Sequence, residues 1–96
     1  MIKTPPPDET NKITVGIDVG KYWCWWIAIA WRGLAEGYCI DYGNIAVPQG
    51  DQRSDLSILA ALSQFKEDTL DQGWKVGDEI RKPDLVLVDS GYEADM

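Results

Sequence analysis

The sequence predicts a small α/β domain whose elements follow the order β-β-β-α-β, and three observations lead to this class. Three strand-like segments follow one another with short turns between them, so neighbouring strands should be antiparallel. A helical repeat of apolar residues comes next, and a final apolar strand follows the helix. Because a strand that returns after a helix can lie parallel to the first strand, we expect a mixed sheet with strand four beside strand one.

Three strands are expected before the helix. Residues 1–11 contain three consecutive prolines and should form an extended linker or tail. Residues 12–18 alternate between β-branched side chains and small or polar ones, as in a strand with one buried face. Residues 22–31 are apolar on both faces, which is typical of a strand in the middle of a sheet. A hairpin turn at residues 32–35 then leads into a third strand at residues 36–45.

A helix is expected over about residues 55–70, followed by a loop at residues 73–83 and a fourth strand at residues 84–89. The fourth strand is a continuous apolar run and should be buried. The apolar residues of the helix recur at three-residue steps, with one isoleucine beside them: Leu56, Leu59, Leu62, Phe65 and Ile58.

Composition and charge limit the classes of protein to which the chain can belong. Its 96 residues suffice for one small domain, and a hydrophobic fraction of 45% with five tryptophans suffices for a core, which excludes wholesale disorder. The formal net charge is −7 and there is no histidine. Such a charge opposes nonspecific nucleic-acid binding, which depends on neutralising phosphates. It still allows a site that reaches phosphates through metal ions.

The sequence predicts a soluble protein that does not enter a membrane. Its first residues contain no apolar segment of the kind that a secretory signal peptide requires. The longest apolar run, residues 22–31, is about half as long as a membrane-spanning helix.

The two cysteines are expected to be buried, reduced thiols. A hairpin in which paired residue numbers sum to 67 would place Cys24 opposite Gly43 and Cys39 opposite Ala28. The two sulfurs would then lie too far apart along the strands to form a disulfide. The lack of a CxxC pair and of histidine also argues against a structural zinc site.

Asp18 and Asp89 each stand at the end of a predicted strand. If strand four lies beside strand one, the two carboxylates meet at the carboxyl ends of adjacent parallel strands, where open α/β sheets bind ligands. Neighbouring carboxylates repel each other unless a cation neutralises them or one takes a proton. Mg²⁺ suits such a pair, and two such ions can promote phosphodiester cleavage. Aspartate is also common where a strand gives way to a turn, so a solvated turn residue is the alternative for each.

Other side chains have weaker functional interpretations. Asp41 could have a role at a site, and Lys21 could meet a phosphate, although its position favours a solvated turn lysine. The tryptophans could stack on bases, but alternation within a strand favours core packing for most of them. These tryptophans are Trp23, Trp25, Trp26 and Trp31.

Several of these segments together resemble a known family. The stretches GIDVG at residues 16–20, YCIDYGNI at 38–45 and LVLVDSGY at 85–92, with W-R-G at 31–33, resemble the nuclease domain of lambda-type phage terminase large subunits. The resemblance covers about residues 13–92. It implies an RNase H-like fold, so that the β-β-β-α-β order would belong to an RNase H-like mixed sheet.

The resemblance also implies a function. Terminase nuclease domains cleave concatemeric double-stranded DNA by metal-dependent phosphodiester hydrolysis during genome packaging. By position, Asp18 and Asp89 match the catalytic, metal-binding acidic residues, and Mg²⁺ or Mn²⁺ would be the cofactor. The implied partners are double-stranded DNA, the terminase ATPase domain and the small subunit, in the cytoplasm of the bacterial host.

The chain departs from the family in two ways. It has no GxxxxGK[ST] loop of an ATPase domain. RNase H-like nucleases also use a third acidic residue from a later element, and Glu93 and Asp95 stand too near the end of strand four for that role. We therefore expect residues 12–96 to be a partial RNase H-like domain that is incomplete at the C-terminus. As a truncated fragment, a prophage remnant or a split product, it should cut DNA poorly or not at all on its own.

Three alternatives remain at this point. The stretch GIDVGK equally fits an RNase H-like transposase. Actin-like and sugar-kinase-like ATPases also begin with a hairpin that contains D-x-G. In those folds a residue with a hydroxyl group follows the turn, at the position that Lys21 occupies here. The third alternative is a non-enzymatic, β-rich protein-binding module, and exposed strand edges would allow self-association.

Overall fold

The computed structural model describes residues 2–20, 22–47 and 54–89. The first three strands are consecutive, a helix with a π-helical last turn follows, and three short strands come after it within the described residues. In order they are β1 (Lys12–Val19), β2 (Trp23–Arg32), β3 (Glu36–Ala46), α1 (Ser54–Phe65) with its π-helical turn (Lys66–Leu70), β4 (Trp74–Val76), β5 (Glu79–Arg81) and β6 (Leu85–Asp89).

A four-stranded mixed sheet organises the fold. Its strand order is β3-β2-β1-β6, with β1, β2 and β3 antiparallel in sequence and β6 parallel to β1. The prediction of a mixed α/β sheet with the final strand beside and parallel to β1 is therefore confirmed. The strands β4 and β5 form a separate two-stranded sheet.

One face of the four-stranded sheet is buried along β1 and most of β2, and we call it the covered face. Alternation along β1 turns its four large aliphatic side chains to this face, where they are at most 4% exposed. Small residues of β2 lie beside them, which allows other elements to approach closely. From these two strands the covered face consists of Ile13, Val15, Ile17, Val19, Cys24, Trp26, Ala28 and Ala30.

The helix α1 contributes to the same core as the covered face, as predicted. Ile58 and Phe65 belong to the core cluster, and the Phe65 ring lies 5.0 Å from the Trp26 ring between centroids. The predicted helix face was partly wrong, because Leu56 and Leu59 are 52% and 62% exposed. A three-residue step falls short of a full 3.6-residue turn, so a line of residues with that spacing drifts around the helix and away from the core.

The β2–β3 hairpin differs from the predicted register by one residue and contains a bulge. Arg32 still belongs to β2 and pairs with Glu36, their side chains forming a 2.7 Å ion pair. The turn is therefore residues 33–35, and its first residue, Gly33, adopts a left-handed φ of 64°. Ile40 is the extra residue of the bulge, since Cys39 pairs with Ile29 and the next pair joins Asp41 to Ala28.

The cysteines are free thiols, as predicted, although their neighbours are not the ones expected. Cys24 lies opposite Ile45 and is fully buried, whereas Cys39 lies opposite Ile29 and is only half-buried.

A second hairpin occupies the segment predicted as a loop at residues 73–83. Trp74 pairs with Arg81, and Val76, next to the turn, is buried in the core. Gly77 adopts a φ of 59° at the turn, which a residue with a side chain rarely does. The pair Gly77-Asp78 between the two short strands is the sequence signal for this turn.

The final strand, β6, is not buried, and this corrects the prediction. All five of its residues are exposed; Leu87 and Val88, for example, are 61% and 51% exposed. The strand lies at the edge of the sheet, while α1 packs towards the opposite edge, on β3. An apolar composition therefore does not imply burial here.

The segment before β1 contacts the outer edge of β3. The backbone N–H of Thr4 donates to the carbonyl of Cys39 at 2.8 Å, and Lys3 forms a 3.0 Å ion pair with Asp41. Thr10 is buried just before β1. No helix in the described part of the chain is long and apolar enough to cross a membrane.

Candidate functional site

No helix of the described residues packs on the second face of the sheet, and we call it the open face. Cross-strand pairing determines which residues share it, because directly opposite residues point to the same side. A 2.9 Å hydrogen bond from the Trp31 indole N–H to the Thr14 hydroxyl crosses this face. Its members are Lys12, Thr14, Gly16, Asp18, Trp23, Trp25, Ile27, Ile29, Trp31, Gly37, Cys39, Tyr42, Asn44, Ala46, Leu85, Leu87 and Asp89.

Asp18 and Asp89 lie directly opposite each other on the open face. They form the last pair in the parallel register of β1 and β6, and both are exposed. Adjacent strands are separated by about 4.8 Å, so the two side chains leave the same face of the sheet from neighbouring positions at the carboxyl ends of parallel strands. The structure therefore brings together the two residues that the sequence singled out, and their catalytic and metal-binding roles remain predictions.

The chain turns sharply just beyond Asp18. A Cβ atom on Gly20 would lie 2.5 Å from the carbonyl oxygen of Trp23, so only glycine fits without a shift in the backbone. This close approach returns the chain directly into β2 and places Trp25 opposite Asp18. The glycine of the GIDVG motif thus has a structural explanation.

The carboxylate pair stands at one end of an apolar groove on the open face. The groove has a volume of about 710 Å³ and is otherwise lined mainly by apolar and aromatic side chains. Besides the two aspartates these include Trp25, Ile27, Tyr42 and Leu87. A ligand bound at the carboxylates would therefore have an apolar surface beside it.

The carboxylate pair has no cationic partner among the residues that the structure describes. Neither Asp18 nor Asp89 forms an ion pair with a described lysine or arginine. The same residues contain no cluster of three Asp, Glu, Cys or His side chains that could enclose a metal. Two exposed carboxylates supply hard oxygen ligands and leave space for water, which fits Mg²⁺ or Mn²⁺ better than a softer ion.

Cys24 is close to this pair but is not a ligand candidate. Burial raises the pKa of the Cys24 thiol, the Asp18 carboxylate raises it further, and a hydrogen bond with the backbone at Gly20 lowers it. The net effect favours the protonated thiol, which is neither a good nucleophile nor a good metal ligand.

Asp41, a weaker candidate from the sequence, is a structural anchor at the edge of the covered face. Its carboxylate accepts hydrogen bonds from the Trp74 indole at 3.1 Å and from the Tyr42 backbone N–H at 3.0 Å, and it pairs with Lys3. Burial pushes the pKa of Asp41 up, but the hydrogen bonds from Lys3, Trp74 and Tyr42 outweigh it and the net shift is downward. The carboxylate is thus engaged in joining three segments of the chain.

Trp26 lies on the covered face, whereas Trp23, Trp25 and Trp31 lie on the open face. Trp26 and Trp31 are half-buried, in agreement with a packing role, but Trp23 and Trp25 are 48% and 57% exposed. The sequence analysis did not connect Trp25 with the carboxylates. Its pairing with Asp18 in the β1–β2 hairpin was the signal that could have revealed it.

Three other residues considered from the sequence, Lys21, Glu93 and Asp95, lie outside the described residues.

Comparison with known proteins adds no family. No protein-family model matches the chain, and neither a curated protein nor a solved structure is significantly similar to it. The fold is thus established as a small α/β domain with a mixed sheet and one helix, and the RNase H-like assignment stays a prediction.

Proposed function

We propose that Asp18 and Asp89 bind Mg²⁺ or Mn²⁺ and that the chain is the metal-binding part of a nuclease domain for double-stranded DNA, as its resemblance to phage terminases implies. The observation that carries this proposal is the in-register pairing of the two aspartates at the ends of adjacent parallel strands. The strand order β3-β2-β1-β6 supports it, because that order makes the two carboxylates neighbours.

The two aspartates would act as oxygen ligands held at fixed positions by the sheet. Each emerges from the last residue pair of a hydrogen-bonded ladder, so the separation of the carboxylates is set by the spacing of the strands. Their mutual repulsion favours uptake of a cation. When bound, such an ion supplies an activated water and stabilises the developing charge on phosphate oxygens.

Weak binding and weak cleavage are expected of this chain. Two carboxylates satisfy only part of the octahedral shell of Mg²⁺, and the rest would be water or substrate oxygen. The net charge of −7 also repels DNA. We therefore expect metal affinity to be modest and cleavage to require protein in large excess over DNA.

A plasmid nicking assay with excess protein and Mn²⁺ tests the proposal. The expected result is slow, Mn²⁺-dependent nicking that is lost in both Asp18→Asn and Asp89→Asn, since asparagine keeps the shape and removes the charge. Asp78→Asn is the matched control, because Asp78 is exposed in the turn between β4 and β5. It should nick like the unmodified chain.

Two results would overturn the nuclease proposal. One is the absence of nicking with either metal under these conditions. The other is nicking that persists unchanged in Asp18→Asn and Asp89→Asn, which would assign the activity to a contaminant or another site. Circular dichroism of each variant separates loss of activity from loss of folding.

The apolar groove favours a second candidate, a protein-binding module. Exposed aromatic and aliphatic side chains such as Trp25 and Leu87 are the kind of surface that binds protein partners. If the aspartates bind no metal, this second function explains the open face better than the first.

A further inference from the structure

The two outer edges of the four-stranded sheet differ in their protection against pairing with another strand. At the β3 edge, the N–H of Thr4 donates to the carbonyl of Cys39 at 2.8 Å, and the bulge at Ile40 interrupts the strand. Both features protect an edge from pairing with another strand. At the β6 edge, no described segment pairs with the outer side of the strand. Within the described residues, the β3 edge is therefore protected and the β6 edge is unpaired.

The side chains of β6 are exposed on both faces of the sheet. Leu85 and Leu87, on the open face, are 49% and 61% exposed, and Val86 and Val88, on the other side, are 36% and 51% exposed. None of these four residues is charged or a proline, which are the usual means of protecting an edge strand. A strand added at this edge would cover apolar surface on both faces while completing the backbone hydrogen bonds.

Charges at the two ends of β6 favour an antiparallel second copy. Asp84, just before the strand, is already engaged, because it accepts from the Ile13 N–H at 2.8 Å and lies 3.4 Å from Arg81. Lys82 is exposed and forms no ion pair with a described residue, and Asp89 has the same property at the far end. Antiparallel pairing of two copies sets the end of β6 that follows Lys82 beside the end that carries Asp89 in the other copy, whereas parallel pairing sets like ends together.

We propose that β6 pairs antiparallel with β6 of a second copy of this chain, joining two four-stranded sheets into one continuous sheet. This proposal does not rest on the metal site. A strand of five residues is only about 17 Å long, which is short for a stable protein interface. The dimer should therefore be weak and its formation concentration-dependent.

Sedimentation equilibrium tests the association. The apparent mass should rise with concentration from 10.8 kDa towards twice that value. Leu87→Lys should weaken dimerisation at least tenfold, because it places a charge in the middle of the paired strand. Leu34→Lys is the matched control, since Leu34 is fully exposed in the β2–β3 turn and should leave dimerisation unchanged. A monomer at all concentrations, or an equal effect of the two variants, would overturn the proposal.

Disulfide crosslinking tests the arrangement of the strands. In a Cys39→Ser background, single cysteines are introduced by Leu85→Cys, Val86→Cys, Leu87→Cys and Val88→Cys, while Cys24 stays buried. A two-fold axis through an antiparallel pair predicts crosslinking only at the one or two positions nearest the axis. A fifth variant, Trp25→Cys, places a cysteine on the open face away from β6. Crosslinking of Leu85→Cys, Leu87→Cys and Trp25→Cys alike would instead indicate that two open faces pack together, and would contradict edge pairing.

Discussion

The covered and open faces of the sheet are both largely apolar, yet they lie in opposite environments. Ile17 of the covered face is 4% exposed, whereas Trp25 and Leu87 of the open face are 57% and 61% exposed. The central strand explains part of the difference, because β2 turns small residues such as Ala28 and Ala30 to the covered face and large ones such as Ile27 to the open face. Small residues allow other elements to approach, and the large ones remain available for contact with a ligand or partner.

Truncating one isoleucine on each face should give the largest difference in the free energy of unfolding. Ile17→Ala should lower the free energy of unfolding by about 2–5 kcal/mol, the usual cost of removing a buried isoleucine side chain. Ile27→Ala, one strand away on the open face, should cost less than half as much because its side chain is already partly solvated. Urea unfolding followed by tryptophan fluorescence measures both.

The proposed difference between the two faces is wrong if Ile27→Ala lowers the free energy of unfolding as much as Ile17→Ala does. That outcome would mean that the open face is covered in solution. Repeating the measurement at several protein concentrations would then show whether a second copy covers it.

Replacing Asp41, the polar anchor at the edge of the covered face, should have an intermediate effect on the free energy of unfolding. Asp41→Asn removes the ion pair with Lys3 and should lower the free energy of unfolding by about 1–2 kcal/mol at pH 7. The folded state lowers the pKa of Asp41, so its contribution is present above the ordinary range of aspartate and is lost as the pH falls through the folded-state pKa. Unfolding curves between neutral and acidic pH should therefore show the difference between the two proteins shrinking at low pH.

Asp78→Asn serves as the control for this pH dependence. Asp78 is exposed, and its replacement should leave both the stability and the acid limb of the profile unchanged. A difference between the unmodified chain and Asp41→Asn that is constant down to acidic pH would contradict the assigned anchor role.

The smallest effect is expected at the carboxylate pair in the absence of metal. Asp18→Asn should stabilise the fold by roughly 0.2–1 kcal/mol, because it removes repulsion between like charges on neighbouring strands. Thermal unfolding in a chelating buffer measures the gain, and added salt should reduce it. A loss of stability on this substitution would mean that the two aspartates do not repel each other as their register implies.

The sheet topology could be predicted from the sequence because short turns and a helical crossover leave few arrangements. Strands separated by tight turns must be antiparallel, and the strand after the helix could return beside β1. The neighbouring placement of Asp18 and Asp89 followed directly from that topology.

The details that the sequence analysis missed depend on tertiary packing. The exposure of β6 could not be read from its apolar residues, because burial depends on where α1 packs. The hairpin register shifted by one because the left-handed conformation of Gly33 permits a three-residue turn. The β4–β5 hairpin could not be predicted because each strand has only three residues and charged side chains surround the Gly77-Asp78 turn.

The central claim is that Asp18 and Asp89 together bind a divalent cation, and ¹H–¹⁵N NMR during titration with Mn²⁺ tests it most directly. The paramagnetic ion should first broaden the backbone signals of both aspartates and the indole N–H of Trp25, which lies opposite Asp18. The indole of Trp74, which is hydrogen-bonded to Asp41, should broaden later. In Asp89→Asn, the signals near Asp18 should no longer broaden before the indole signal of Trp74. Broadening that begins instead at the exposed helical acids Glu67 and Asp68, or that is unchanged by Asp89→Asn, would contradict the claim.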